Sequence, residues 1–454
     1  MRFPPHTDLF QSISSFNSNL HIQSYTLVLL HGPSPQLHTI SNLCWERSIP
    51  LFYIHSLGFY SHFSIQLPPH FPIVDTHPDP LSNQDLRLLN PWPELIDHAS
   101  EKTSQIDCLP DHEHGHIPWL LLLLHYLDKW KESHEGKPPQ NYNEKKAFKT
   151  FVESGTRRNN PEGGEENFEE GAAAVLKSLN PPSISSGLRE VFEAEECKAP
   201  TATSANFWIK ASAIRKFYAR HAILPLPGAV PDMKAQSADY ISLQNIYKTK
   251  ARADISEVAS SIRSLESSLL RKEPIDEKEI EAFCKGAAFV KLVKGKPLRF
   301  AQLSLPKRAK TLKNIDWSEV ASGLALDLQM QDESSLPIYL AFLAYDEHNL
   351  VGHDSKEPSS NFVTTASAST NAALISVAKA TGLDDLDLST LQSRVRDVLL
   401  EFERADGGEL HNIAALTGGM VAQEVIKVVT KQYVPVDNVC VFDGIVSKSG
   451  IFKM

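Results

Sequence analysis

The sequence predicts an α/β protein in which two sheet-forming ends flank a long helical middle. Three observations carry that expectation. Between residues 25 and 54 an apolar run, a helix-spaced segment and a second apolar run follow one another. From about residue 92 to 310 apolar residues recur at helical spacing, and residues 409–444 give an apolar helix and then a short strand. A chain of 454 residues holds about two to three domains and can build a core without disulfides.

The first run, Tyr25-Thr26-Leu27-Val28-Leu29-Leu30, stops at the turn His31-Gly32-Pro33 and reads as a buried parallel strand. Leu37, Ile40, Leu43 and Cys44, spaced by three and four, predict a helix, and Leu51-Phe52-Tyr53-Ile54 after Pro50 a second strand, completing one βαβ unit. Next, Phe59, Ser61, Phe63, Ile65 and Leu67 alternate with Tyr60, His62, Ser64 and Gln66. That period of two predicts a strand with unlike faces, joining the sheet antiparallel at an edge.

In the middle, Phe207, Trp208, Ala211, Ile214 and Tyr218 form one helical stripe, and a longer one runs from Tyr240 through Tyr247, Ala251, Val258 and Ile262 to Leu269. The proline-rich segment 224–231 and the acidic, glycine-rich segment 160–166 are expected to be loops, the second a solvated one. After a polar loop around 355–361, Leu391, Val395, Val398, Leu399 and Phe402 predict another helix. The helical pattern of residues 409–432 contains Gly418-Gly419. Glycine inside a helix costs about 1 kcal/mol relative to alanine, so the pair predicts a tightly packed helix closely approached by another backbone. Asn438-Val439-Cys440-Val441-Phe442-Asp443-Gly444 reads as a strand returning to the sheet.

Charge and composition exclude several functions. Lys plus Arg total 45 against 55 for Asp plus Glu, a net charge of −10, which disfavours nucleic acid as a main ligand. The longest apolar run, 117–124, contains Pro118 and is far shorter than the ~20 residues of a membrane span. The amino terminus shows no signal-peptide pattern. Five widely spaced cysteines suggest no disulfide framework and fit a cytoplasmic or nuclear location.

No glycine-rich nucleotide motif occurs, neither G-x-G-x-x-G nor G-x-x-x-x-G-K-[ST], and the first strong strand already resembles the second half of a nucleotide-binding α/β domain. The cluster Asp111-His112-Glu113-His114-Gly115-His116 has metal-binding residue types at poor spacing, so a solvated loop is expected there and no metal site is assigned. Cys44 and Cys440 sit in apolar patterns, Cys197 follows two glutamates, and Cys108 lies beside Asp107; Cys284 alone has a cation beside it without a preceding carboxylate. No base accompanies Cys284 or Cys108, and no catalytic residue is assigned.

At the carboxyl end, His411-Asn412-Ile413-Ala414-Ala415-Leu416-Thr417-Gly418-Gly419, Ala422-Gln423-Glu424-Val425-Ile426-Lys427 and Thr430-Lys431-Gln432 resemble the ubiquitin-activating enzyme family. Phrases in the same order point, within it, to the regulatory subunits of neddylation-activating enzymes. They include Thr76-His77-Pro78-Asp79, Asp85-Leu86-Arg87-Leu88, Pro93-Glu94-Leu95, His116-Ile117-Pro118-Trp119, Glu166-Asn167-Phe168-Glu169-Glu170, Phe207-Trp208-Ile209, Pro231-Asp232-Met233 and Leu243-Gln244-Asn245-Ile246-Tyr247.

The resemblance implies a non-catalytic subunit of a heterodimer. Its catalytic partner would bind ATP and magnesium, adenylate a ubiquitin-like modifier and carry it as a thioester, and this chain would bind neither cofactor. In active relatives a threonine follows the thioester cysteine, and no Cys-Thr pair occurs here. The implied fold is an incomplete Rossmann-like adenylation-type domain made of residues 1–91 and 315–454, with a large inserted helical domain, 92–314, resembling a catalytic-cysteine domain without its cysteine. Family members begin with a longer segment carrying the first strands, so an exposed edge or uncovered apolar face is expected. Gly418, Gly419 and Gln423 are candidates for the partner interface or for packing on the chain's own sheet. A free-standing interaction protein, or an inactive shortened homologue, is the alternative.

Overall fold

The computed structural model describes residues 25–78, 85–159, 164–298, 312, 315–351 and 362–454. The amino-terminal stretch read above, the loop 355–361, Asp79 and residues 160–163 lie outside them. The chain forms two compact units, one made of Met1–Ile73 and Val293–Met454 and the other of Val74–Leu292. The chain thus changes unit after Ile73 and after Leu292, ahead of the expected boundaries at 91 and 314.

The first unit opens with β1 (Val28–His31), α1 (Leu37–Glu46), β2 (Leu51–Leu57), β3 (Tyr60–Gln66) and β4 (Phe71–Val74). As expected, β1 and β2 pair in parallel around α1, in the register Val28 to Leu51. The strand starts three residues later than predicted, however, and only Leu30 in it is buried while Leu29 is half exposed. It is an edge strand with one uncovered face rather than a buried one. β3 pairs antiparallel with β2 as expected, but it is not at an edge. Every residue of β3 is buried, because a strand from the far end of the chain takes its other side.

The second unit contains α2 (Pro93–Thr103), α3 (Asp111–His114), α4 (Trp119–Ser133), α5 (Tyr142–Glu153), α6 (Glu166–Ser178), α7 (Ser186–Glu193), α8 (Glu195–Lys198), α9 (Asn206–His221), α10 (Ser237–Ser268) and α11 (Glu277–Lys285), followed by β5 (Val290–Val293) at its end. Two apolar clusters share this unit. One gathers Leu95, Leu120 to Leu124, Phe148 and Phe168 with Leu243, Tyr247 and Ala251. The other gathers Val191, Trp208, Ile214 and Phe283 with Val258 and Ile262. The 32-residue α10 therefore contributes its first half to one cluster and its second half to the other, as an unbroken form of the long stripe read in the sequence.

The chain ends with α12 (Ala321–Gln329), α13 (Leu336–Val351), α14 (Phe362–Thr381), α15 (Ser389–Ala405), α16 (His411–Thr430), β6 (Val439–Asp443) and β7 (Lys448–Phe452). The mixed sheet has the order β1-β2-β3-β6-β7. α12 to α15, with Trp317 just before them, pack on one face through Leu324, Leu340, Phe342, Leu399 and Phe402, against Leu57, Tyr60, Val439 and Val441. α16 covers the other face, where Val421 and Val428 meet Phe52, Phe63, Ile65 and Cys440. The alternation along β3 is thus a division between two buried faces: Ser61 bonds Thr417 of α16, while His62 lies edge-on to Tyr339 and Phe342 of α13.

Candidate partner interface

α16 is attached to its sheet by a narrow stripe. Ile413, Thr417, Val421, Glu424 and Val428 are its buried residues, spaced by four, four, three and four so that they share one face. Thr417 Oγ1 lies 2.6 Å from Ser61 Oγ and donates to the Ile413 carbonyl. The Glu424 carboxylate accepts from Lys427 Nζ at 2.6 Å and from the Val436 backbone N–H at 2.9 Å, pinning the segment after the helix. Both polar groups are paired, so their burial leaves no orphaned atom.

The opposite side of α16 is open. Ala415, Gly419, Ala422 and Ile426 follow one another at four, three and four residues, diametrically across from the buried stripe. Leu416, Ile426 and Val429 are 46%, 59% and 64% exposed. Gly418, Gly419 and Gln423 are all exposed. A Cβ placed on either glycine would meet nothing within 4 Å. Close packing of the glycine pair on the chain's own sheet, one of the two expectations, is therefore contradicted: the glycines point away from the sheet.

Among the described residues α16 is also the one helix long and apolar enough to cross a membrane by length and composition, a feature hidden by looking only for uninterrupted runs. Its buried Thr417 and Glu424, bonded to the sheet and to the following loop, belong to a helix lying on a protein core. Two further exposed apolar pairs lie in the same unit, Tyr433 and Val434 after α16, and Ile445 and Val446 in the turn between β6 and β7.

The other candidates from the sequence fare differently. Cys44, Cys197, Cys284 and Cys440 are buried and Cys108 is exposed. Burial pushes the thiols of Cys44, Cys197 and Cys440 up to about 11, and that of Cys284 up to about 12 despite the lowering influence of Lys210. A raised thiol is poorer as a nucleophile at neutral pH, so the cation beside Cys284 in the sequence does not activate it. The histidine cluster is not a solvated loop. It forms α3, with His114 buried, stacked on Phe168 and 2.8 Å from Glu165 Oε1. Glu165, expected in solvent, is buried too and also accepts from the Arg157 backbone N–H. Among the described residues no group of three or more His, Cys, Asp or Glu side chains is placed to hold a metal.

No family model matches the chain. It is 31% identical over 433 residues to the NEDD8-activating enzyme E1 regulatory subunit of Xenopus laevis, an alignment covering 93% of this chain and 76% of that relative. The chain belongs to the NEDD8-activating enzyme E1 regulatory subunit family. The regulatory subunit of Drosophila melanogaster is 32% identical over 95% of this chain and 76% of its own length, and that of Saccharomyces cerevisiae 22% identical over 87% and 70%.

Several of the phrases on which the sequence resemblance rests are joints inside the second unit. Arg87 is buried between Asp85 and Asp254, and Tyr247 donates to the Leu86 carbonyl at 2.6 Å while its ring meets Trp92 edge-on. The Asn167 amide donates to the carbonyls of His114 and Ile117. Glu170 accepts from the Lys234 backbone N–H beside Met233. In this regulatory-subunit chain such residues hold segments together that are far apart in sequence.

Proposed function

We propose that this chain is the regulatory half of a heterodimeric NEDD8-activating enzyme, contributing a structural surface rather than catalytic groups. What carries the reading is similarity to regulatory subunits along more than nine-tenths of the chain. The raised thiols support it, since a thioester-forming centre needs an available thiolate. In this reading the catalytic subunit binds ATP and magnesium, adenylates the modifier and accepts it as a thioester, and the present chain binds neither cofactor. The discontinuous first unit serves as an adenylation-like, Rossmann-related α/β domain. The helical unit inserted in it stands where a catalytic-cysteine domain would. Five free thiols fit a cytoplasmic or nuclear location.

The outer face of α16, with Gly418, Gly419 and Gln423, is the surface we assign to the partner. Exposed glycines allow a neighbouring backbone to come close, and exposed Leu416, Ile426 and Val429 supply apolar area that water disfavours. The test is co-expression with the catalytic subunit of the same organism, followed by size-exclusion chromatography and an ATP-dependent thioester assay with NEDD8. A stable heterodimer for the wild-type chain, lost in Gly419→Glu and Ile426→Glu variants that remain folded alone, is the expected result. No heterodimer with the wild-type chain would overturn the functional reading. A normal heterodimer with both variants would overturn the assignment of the α16 face.

A further inference from the structure

We propose that the helical unit carries a groove for an extended acidic peptide segment of another protein, with a bowl at one end for a bulky apolar side chain. The groove lies between α10 and α11 along the loop 224–230. One part is a cleft of about 560 Å³ bordered by Lys248, Arg252 and Lys285, with Glu281 as its one carboxylate. The other is a bowl of about 220 Å³ among Tyr218, Leu224, Pro225 and Phe289, with Lys177 on its wall and Arg87 there paired with Asp85. Pro227 and Lys285 line both parts, so the two are continuous. Lys285 is paired with Glu281 at 2.6 Å, and the Arg252 charge also acts on that carboxylate, so Lys248 and Arg252 supply the cleft's surplus of positive charge. A cationic groove on a chain of net charge −10 selects locally for acidic ligands.

The rim is fixed before any ligand arrives. Arg87 Nη2 donates to the Leu224 carbonyl at 2.6 Å, and Asp254 Oδ2 accepts from the Leu226 backbone N–H at 3.0 Å. Pro225 and Pro227 lock their own φ angles. Gly228 takes φ +83°, and a Cβ there would sit 2.7 Å from Ala251 Cβ, so the loop lies directly on α10. A peptide meeting this surface orders only itself, which lowers the entropy cost of binding. The mixture of apolar bowl and cationic cleft fits a peptide with one large apolar residue flanked by Asp or Glu.

The test uses the full chain and fluorescence anisotropy with capped, labelled oligoglutamate peptides, with and without one central leucine, and a single-stranded oligonucleotide of equal charge. Expected are saturable binding of the leucine peptide, weakening with added salt, and a loss of at least about tenfold in the Lys248→Glu/Arg252→Glu variant. Both positions are exposed, so the fold should survive their reversal. Ala288→Trp, which fills the bowl from its exposed rim, should abolish the preference for the leucine peptide. Absence of binding, equal loss in the remote Lys146→Glu control, or equal affinity for the oligonucleotide would each overturn the proposal.

Discussion

Replacing Gly418 and Gly419 together by alanine should make the isolated chain more stable while weakening its association with a partner. Both glycines lie in the interior of a 20-residue helix and neither faces any atom within 4 Å. Each alanine then removes the helix penalty of glycine, about 0.5–1 kcal/mol, with no clash to offset it. The pair should contribute about 1–2 kcal/mol, or some 2–8 °C in the melting of a unit this size. Thermal unfolding of wild type and variant, monitored by circular dichroism on the chain alone, reads the first effect. Heterodimer formation at limiting concentration reads the second, because two added methyl groups hold an approaching backbone away. A variant less stable than wild type would show that the glycines are packed against this chain after all. A stabilised variant that associates as tightly as wild type would remove α16 from the interface.

Three further outcomes follow from buried groups. Arg87→Met should cost about 3–5 kcal/mol, since it leaves Asp254 buried with Lys250 alone and frees the Leu224 carbonyl; a loss below about 1 kcal/mol in urea unfolding would refute the joint. Burial pushes the His62 imidazole down to about 3, with the His55 charge adding to the effect and Asp346 opposing it. The unfolded histidine takes up its proton near its ordinary 6.5, so the contribution is complete above that pH and declines toward pH 3, by about 2 kcal/mol between pH 7 and 5. His62→Phe should flatten this acid loss at little cost, because neither ring nitrogen has a hydrogen-bond partner; an unchanged melting temperature profile against pH would refute it. Finally, a thiol reagent at neutral pH should label Cys108 rapidly and the four buried cysteines only on unfolding, as read by mass spectrometry. Rapid labelling of Cys284 would contradict its raised thiol.

Elements whose apolar spacing is local were legible: α1, α9, α10, α15 and α16 fall where three- and four-residue recurrences placed them. Features decided by distant chain were not. β3 reads as half polar, and its central position depends on β6, which arrives from the far end of the sequence to pair Phe63 with Cys440. Glu165 reads as one of a solvated acidic run, and its burial depends on His114, 51 residues away. The Gly418-Gly419 signal was visible but its direction was not, because a glycine pair marks room for close approach without saying from which side. The edge position of β1 is likewise invisible in a run that looks uniformly apolar.

α10 has a thermodynamic consequence for the helical unit. At 1.5 Å per residue its 32 residues span about 48 Å, and the same rod is a wall of both apolar clusters. Fraying that removes Leu243, Tyr247 and Ala251 from one core destabilises the helix that presents Val258 and Ile262 to the other. The two clusters are then one cooperative folding unit, and amide protons at the centre of α10, between Ala251 and Val258, should exchange with solvent only when that whole unit opens.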